Sequence, residues 1–265
     1  MTEEEPVKEE PFNELSVLGH VNELRKRLLI CLIALLVTTV VSFTFSQQIA
    51  EILSRPIGGI EVLESIDVTE NVTAFMKISL LSGVILALPV IVYEVLAFIL
   101  PGLSPNERKW VWIMVPLASL FFVAGVLFAY FYMLPTALPF LLNFMGIATA
   151  PRPSNYFGFI LNLLFWVGVC FELPLLIFLL ARLGVINSNQ LIKGWRIAII
   201  VIAVVAAVIT PTPDPVNMGL MMVPLFLLYL ISILFAVIAG RQRKKAQENQ
   251  DDVEEPVGKT PAANE

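Results

Sequence analysis

The stretch "YFGFILNLLFWVGVCFELPLLIFLLA", residues 156–181, decides the fold of this chain. Arg152 and Arg182 flank it, and between these two arginines the only charged residue is Glu172. A run of about 20 apolar residues is the length that an α-helix needs to cross a bilayer. The stretch therefore predicts a membrane-spanning helix that carries a single carboxyl group.

Similar apolar runs recur along the whole chain. Its 265 residues are 57% hydrophobic and its mean hydropathy is +0.82, a composition that soluble globular domains do not have. Six runs are candidate spans, at Leu28–Phe45, Ile78–Leu100, Trp110–Tyr132, Tyr156–Ala181, Ile197–Thr210 and Val216–Ala239. They lack the alternating ten-residue pattern of barrel strands. The sequence therefore predicts an all-α polytopic membrane protein with six transmembrane helices.

The positive charges are distributed unevenly between the two sides of the membrane. Of the 17 lysines and arginines, only Arg55, Lys77 and Arg152 fall outside when the N-terminus is placed in the cytoplasm. Because loops rich in lysine and arginine stay inside the cell, this bias predicts that both termini are cytoplasmic. The first run follows an acidic leader and precedes no small-residue cleavage pattern, so no cleavable signal peptide is expected.

One domain is predicted, with a charged tail at each end. Residues 1–14 are acidic and residues 241–265 pass from basic to acidic, compositions that predict disordered tails on the cytoplasmic side. Between them, residues 15–240 carry all six apolar runs and contain no recognisable internal repeat.

Residues that carry out chemistry are scarce. Cys31 and Cys170 lie inside apolar runs, and His20 is the only histidine. The sequence has no metal-ligand cluster, no nucleophile with a neighbouring base and no glycine-rich phosphate loop. We therefore expect no catalytic residue, no metal and no cofactor, and the chain is predicted not to be an enzyme.

Prolines interrupt four of the apolar runs. Pro89, Pro116, Pro174 and Pro224 each remove a backbone donor, which kinks a helix. Bent helices can enclose a concave surface, so the six spans are predicted to form a cup. The run Ile197–Thr210 is short, at roughly 21 Å for a rise of 1.5 Å per residue, against a hydrocarbon core of about 30 Å. At this helix the bilayer is expected to thin or water to enter.

Five motifs occur in order along the chain. They are "HVNELRKRL" (20–28), "LPVIVYEVLAFILPGLSPNERK" (88–109), "FAYFYMLPTALPFL" (128–141), "FELP" (171–174) and "TPTPDPVNMGLMMVPLFLLYL" (210–230). Together they resemble the TatC family, the large membrane subunits of the twin-arginine protein translocase, over roughly residues 15–240. The chain departs from the family pattern at Met218, where some members carry glutamine, and at Leu230, where an acid is common.

This resemblance implies a six-helix receptor, shaped like a cupped hand, in the cytoplasmic membrane of a prokaryotic cell. Such a receptor binds the twin-arginine signal peptides of folded proteins and helps to assemble an export site driven by the proton-motive force. The implied partners are these signal peptides, small single-span subunits of the TatA or TatB type, further copies of the chain and the lipid bilayer. No nucleic acid and no nucleotide hydrolysis are implied.

Acids near the cytoplasmic surface are candidates for binding the arginine pair, because carboxylate and guanidinium groups form a planar two-pronged pair. The resemblance points to Glu107, in "SPNE", and to Glu23 together with Arg25. Both acids also have structural alternatives. Glu107 follows Ser104 by three residues, the spacing of a helix capping box. Glu23 precedes Arg27 by four residues, the spacing of a surface ion pair on a helix.

Glu172 is predicted to lie near the membrane midplane, about 14 Å from the cytoplasmic end of its helix. A charge at that depth costs at least about 2.5–3.5 kcal/mol, so the carboxyl group should face protein or water. Gly158 and Gly168 share its side of the helix and permit a neighbour to approach closely. We predict a membrane-embedded groove here, with the shallower Glu94 as its second acid. The structural alternative is a carboxyl group that is hydrogen-bonded to a neighbouring helix.

A different function also remains open at this point. In a proton-coupled secondary transporter of a small solute, Glu172 would be the coupling acid and Glu94 its partner. On the periplasmic side, Asp214 in "TPTPDP" is predicted to cap or brace the turn between the last two spans.

Overall fold

The structure, a computed structural model, describes residues 14–99, 105–143, 150–210 and 215–254. Helices dominate these residues, and no β-strand occurs among them. The helices are α1 (Glu14–Thr44), α2 (Ser46–Ser54), α3 (Glu70–Ile99), α4 (Pro105–Phe128), α5 (Leu134–Leu142), α6 (Pro153–Phe171), α7 (Leu173–Arg182), α8 (Ser188–Lys193), α9 (Trp195–Ile209) and α10 (Pro215–Glu254). The predicted all-α fold class is confirmed.

Three shorter elements complete the connections between these helices. Two 3-10 helices follow α2, at Arg55–Ile57 and Ile60–Val62, and a π-helical turn, Ala129–Met133, joins α4 to α5.

Five stretches are long and apolar enough to cross a membrane. They are Val21–Thr44, Glu70–Phe98, Trp112–Leu142, Pro153–Arg182 and Met218–Arg241. The remaining predicted span corresponds to α9, a helix of 15 residues. Its length of about 22 Å falls short of a hydrocarbon core of about 30 Å. A membrane protein with five candidate spans is therefore established, and the sixth crossing stays a prediction.

The central helix of the bundle is α6. It packs against α3 and α4, and its buried side chains include Phe157, Ile160, Leu164 and Val167. A helix that contacts neighbours on several sides needs apolar residues around most of its circumference. Lipid surrounds the sides that no helix covers, so apolar residues predominate all around this stretch.

Helices α1 and α3 form an antiparallel pair with one register. Arg27 contacts Glu94. The hydroxyl of Thr38 donates a hydrogen bond of 2.8 Å to the carbonyl oxygen of Gly83. From the first contact to the second, the chain advances eleven residues on α1 and goes back eleven residues on α3, as expected for antiparallel helices in a constant register. A Cβ atom at Gly83 would lie only 2.7 Å from the Cα atom of Thr39. Glycine at this position therefore allows the two backbones to meet.

The predicted close approach at Gly168 is confirmed. A Cβ atom there would lie 2.7 Å from the ring of Phe122 on α4. The opposite arrangement occurs at Gly125 of α4, where a Cβ atom would lie 2.8 Å from the ring of Phe171. Each helix thus presents a glycine to an aromatic ring of the other, which holds α4 tightly against α6.

The long apolar stretch 156–181 breaks at Glu172. Helix α6 ends at Phe171, and α7 begins at Leu173 with Pro174 in its first turn. Proline has no amide hydrogen and cannot continue the helical ladder, so the interruption predicted at Pro174 is confirmed. The other three prolines lie within helices that continue past them, at Pro89, Pro116 and Pro224. The cup-like arrangement stays a prediction.

Helix α10 continues to Glu254, beyond the domain boundary predicted at residue 240. The sequence predicted a disordered tail from residue 241, and over residues 241–254 the structure differs from that prediction. The segment "RQRKKAQENQDDVE" is rich in arginine, lysine, glutamine and glutamate, which favour helix, so the preceding span can extend into it. The rest of that tail, and residues 1–13, lie outside the described residues.

Candidate functional site

Arg27 of α1 binds two carboxylates. Its Nη2 atom donates a hydrogen bond of 2.5 Å to Oε1 of Glu23, one turn earlier on the same helix, and its Nη1 atom donates one of 3.2 Å to Oε2 of Glu94 on α3. The four-residue spacing along α1 brings Glu23 to Arg27. The antiparallel register of α1 and α3 brings Glu94. We term these three residues the Arg27 network.

The most deeply buried member of the Arg27 network is Glu94. Only 7% of this residue is exposed, whereas Glu23 and Arg27 are half-buried. A carboxylate removed from water must be paired or hydrogen-bonded to remain ionised, and Arg27 provides that pairing. One guanidinium group cannot neutralise two ionised carboxylates. Within the Arg27 network itself one negative charge is therefore left over, which suits a second guanidinium group. The exposed cations Arg25 and Lys26 lie next to the network on α1.

The sequence predicted one contact of this network and missed the other. The pairing of Glu23 with Arg27 was expected from their spacing and is confirmed. The contact between Arg27 and Glu94 was not expected, because Glu94 was grouped with Glu172. The structure brings Glu94 to α1 instead. Arg25, the third predicted residue of the signal-peptide site, is exposed and forms no ion pair with a described carboxylate.

Two further predicted site residues, Glu107 and Asp214, have side chains outside the described part of the structure. Glu107 is the third residue of α4, but its side chain lies outside the described residues, as do Ser104 and Asp214. Helix α4 begins six residues after the end of α3 and packs against it. The backbone of Glu107 is therefore near the same end of the molecule as Glu94.

Glu172 lies in the wall of an apolar groove of about 450 Å³. Its other lining residues come from α3, α4 and α7, and they are Ile91, Val92, Val95, Leu96, Met114, Ala118, Leu175, Leu176, Leu179 and Leu180. Glu172 is the one polar residue in this lining, which does not include Glu94. A groove thus lies beside Glu172, and Glu94 is not among its lining residues. A functional role for this groove stays a prediction.

The carboxyl group of Glu172 has an oxygen that is not satisfied. Oε1 is buried and has no hydrogen-bond partner within the described part of the chain. A purely structural carboxyl group would satisfy this atom from a neighbouring helix, because an unpaired buried oxygen costs about 1–3 kcal/mol. Oε1 can instead accept a hydrogen bond from a polar group that enters the groove, while the apolar walls contact the rest of the entering molecule.

A second apolar groove, of about 470 Å³, lies where α9 and α10 meet α7 and α8. Val201 and Leu225 are among its lining residues. Tyr229 closes one side of it by donating a hydrogen bond of 2.5 Å to the carbonyl oxygen of Leu191. The short helix α9 therefore leaves an apolar surface between itself and α10, which we term the α9–α10 groove.

These features define the class of protein. The chain is a helical membrane protein in which a charged network joins two helices at one end and a lone carboxyl group faces an apolar groove. Among the described residues, no group of three or more histidines, cysteines or acids converges to form a metal-binding cluster.

The family is shown by comparison with known proteins. Residues 19–224 match the family described as Sec-independent protein translocase protein (TatC). The chain belongs to this family. It is therefore a subunit of the Sec-independent, twin-arginine pathway of protein translocation, and the resemblance noted in its motifs is confirmed.

Several relatives support this assignment. The Sec-independent protein translocase protein TatC of Deinococcus radiodurans is 41% identical over 239 residues, which cover 85% of this chain and 88% of the relative. The corresponding protein of Carboxydothermus hydrogenoformans is 36% identical over 225 residues, covering 84% of this chain and 93% of the relative.

Solved structures agree with the sequence relatives. A crystal structure of the twin arginine translocase receptor TatC is 35% identical, with a TM-score of 0.72, and covers 83% of this chain and 99% of the solved chain. A second crystal structure of that receptor, in the detergent DDM, is 36% identical with a TM-score of 0.74, and covers 82% and 99%. None of the proteins named here is a solute transporter, so the transporter alternative has no support from them.

Proposed function

We propose that the chain binds the twin-arginine signal peptides of folded proteins and helps to assemble an export site driven by the proton-motive force. The Arg27 network carries this proposal. Glu23 and Glu94 already hold one guanidinium group, and their combined charge exceeds what that group neutralises. The two solved relatives are twin arginine translocase receptors, which supports the same interpretation.

The orientation proposed for this function has six spans with both termini in the cytoplasm of a prokaryotic cell. In that orientation, the end of the molecule with the Arg27 network faces the cytoplasm, where signal peptides arrive. Glu107, at the start of α4, and Glu23 would bind the two arginines, because planar carboxylates suit guanidinium groups. Arg25 would supply a further polar contact beside Glu23.

The groove at Glu172 suits the apolar part of a signal peptide. Its walls are apolar apart from one carboxyl group, and that group has a buried oxygen free to accept a hydrogen bond from the inserted segment. Glu94 would act indirectly in signal-peptide binding. It holds Arg27 in place, and Arg27 in turn orients the carboxylate of Glu23. Asp214 is proposed to brace the periplasmic turn before α10.

The proposed partners include more than the signal peptide. Small single-span subunits of the TatA or TatB type carry one transmembrane helix. The α9–α10 groove offers an apolar surface against which such a helix can pack. It lies beside α9, which is too short to span the hydrocarbon core alone. Further copies of the chain would complete the receptor complex in the cytoplasmic membrane. No nucleotide hydrolysis and no nucleic acid are part of this proposal.

Equilibrium binding of a synthetic twin-arginine peptide to the purified full chain tests the proposed function. We expect the lysine-pair version of the peptide to bind at least about tenfold more weakly, since a hydrogen bond to a charged group is worth about 1.5–3 kcal/mol. Equal affinity for the two peptides would refute the receptor function.

The role of Glu107 is tested in the same binding assay. Glu107→Gln keeps the size and capping capacity of the side chain and removes its charge. We expect it to weaken binding by about tenfold or more. Glu51→Gln is the matched control, because Glu51 is an exposed acid on α2, at the other end of α1. If both variants bind like the wild type, Glu107 does not contact the arginines.

A further inference from the structure

A polar groove lies at the end of α3 opposite the Arg27 network. Lys77 is 17 residues before Glu94 on this helix, which corresponds to about 25 Å. The groove has a volume of about 510 Å³, and α3, α6 and α9 contribute to its lining, which includes Lys77, Asn155, Gly158, Asn162, Trp166 and Ile209. We term it the Lys77 groove.

The charge of Lys77 has no opposite charge beside it. Its Nζ atom donates hydrogen bonds to the carbonyl oxygen of Ser154, at 3.3 Å, and to the Ser154 hydroxyl, at 3.2 Å. No carboxylate of the described residues lies within 4.0 Å of it. A Cβ atom at Gly158 would lie 3.4 Å from Nζ, which is an ordinary van der Waals contact, so the close approach of a helix or backbone predicted at this glycine is not found. Two neutral acceptors leave the ammonium charge uncompensated.

Two side-chain amides in the Lys77 groove also lack partners. Asn155 and Asn162 are exposed and form no hydrogen bond with the described part of the chain. They are seven residues apart on α6 and therefore lie on one face, followed on the same face by Trp166. Exposed amides of this kind can donate and accept hydrogen bonds with a polar group from outside the chain. The groove thus suits a polar occupant.

The position of the groove along the helices indicates the level of the lipid headgroups. Lys77 directly precedes the apolar run that begins at Ile78, and Asn155 directly precedes the run that begins at Tyr156. Helix α9 ends at Ile209, in the wall of the same groove. Apolar segments from three helices therefore stop together here, which is where hydrocarbon gives way to headgroups. Because α9 is shorter than the hydrocarbon core is thick, the bilayer is expected to thin around it, which brings the headgroups closer to the groove.

We propose that the Lys77 groove binds the phosphate headgroup of an anionic phospholipid such as phosphatidylglycerol. The phosphate oxygens accept hydrogen bonds from the ammonium group of Lys77, and the amides of Asn155 and Asn162 bind the glycerol headgroup. The acyl chains run along the apolar wall past Trp166. A free phosphate ion would match the charge but leave this wall uncovered, so a lipid is the occupant that satisfies both parts of the groove. In the orientation proposed above, this lipid belongs to the outer leaflet.

Native mass spectrometry of the purified full chain tests the proposal, with phosphatidylglycerol or phosphatidylcholine added to the detergent. We expect one phosphatidylglycerol molecule to bind more tightly than phosphatidylcholine. In Lys77→Gln this binding should weaken by about fivefold or more, as expected for the loss of one lysine beside an anionic lipid. Arg55→Gln is the matched control, because Arg55 is an exposed cation near the same end of α3 and outside the groove. It should bind phosphatidylglycerol like the wild type.

Three results would overturn the proposal. Lys77→Gln could bind phosphatidylglycerol as tightly as Arg55→Gln does, the wild type could show no preference for the anionic lipid, or millimolar inorganic phosphate could displace the lipid and so reveal a simple anion site. If Lys77→Gln does not fold, Asn162→Leu decides the matter. Weaker phosphatidylglycerol binding in that variant supports the proposal, and unchanged binding contradicts it.

Discussion

Replacing Gly83 by alanine tests the packing that creates the Arg27 network. The added Cβ atom would lie 2.5 Å from Oγ1, 2.7 Å from Cα and 2.9 Å from N of Thr39. Two of these atoms belong to the backbone and cannot rotate away. Because ordinary contact with Cα begins at 3.4 Å rather than 2.7 Å, α1 and α3 must separate locally by 0.7 Å. That separation stretches the hydrogen bond between Thr38 and Gly83, which measures 2.8 Å.

The expected loss of stability combines two opposing effects. Overpacking of a close contact costs about 1–3 kcal/mol, whereas replacing glycine by alanine within a helix gains up to about 1 kcal/mol. We therefore expect Gly83→Ala to lower the free energy of unfolding by about 1–2 kcal/mol. Gly219→Ala is the matched control, because a Cβ atom at Gly219 meets nothing within 4 Å. It should leave the free energy of unfolding unchanged or raise it.

The assay is unfolding of the purified full chain in mixed micelles by a titration with sodium dodecyl sulfate, followed by helical circular dichroism. The free energies of unfolding of the two alanine variants are compared with that of the wild type. If Gly83→Ala is as stable as Gly219→Ala, the two backbones are not in close contact, and the register deduced for α1 and α3 is wrong.

Two further predictions concern the buried acids and use the same titration. Arg27→Gln leaves Glu94 buried without its partner, so we expect a loss of about 2–3 kcal/mol, below the usual cost for a fully buried pair because Arg27 is partly exposed. The exposed neighbour Lys26 provides the control Lys26→Gln, and equal stability of the two variants would contradict the prediction. Glu172→Leu removes an unsatisfied oxygen from an apolar groove and should raise the free energy of unfolding by about 1–3 kcal/mol. A loss of stability would show instead that the carboxyl group is structural.

Hydrophobicity alone predicted the helices, because membrane spans are defined by length and apolar character rather than by contacts. The break at Pro174 was also predictable, since proline acts locally on its own helix. The same holds for the close approach at Gly168, where only the size of the residue matters. The helices and the break depend on neighbouring residues in the sequence. The structure confirms five of the predicted spans, the break and the close approach.

The partners of individual side chains could not be predicted in the same way. Arg25, Lys26 and Arg27 are consecutive, and only the rotation of α1 against α3 decides that Arg27 reaches Glu94. Glu94 was grouped with Glu172 although it is the shallower acid, because the sequence does not specify which face of α3 an acid occupies. The Lys77 groove was missed for a related reason, because three helices that are distant in sequence contribute to it.

Photo-crosslinking tests the central claim most directly. A twin-arginine peptide with a photoreactive group beside the arginine pair is added to membrane vesicles that contain the full chain, and the crosslinked residues are identified by mass spectrometry. We predict crosslinks to α1 near Glu23 and to the start of α4 near Glu107, and their loss when the two arginines are replaced by lysines. Crosslinks near Lys77 at the opposite end, or crosslinks that persist unchanged with the lysine peptide, would contradict the claim that these acids receive the signal peptide.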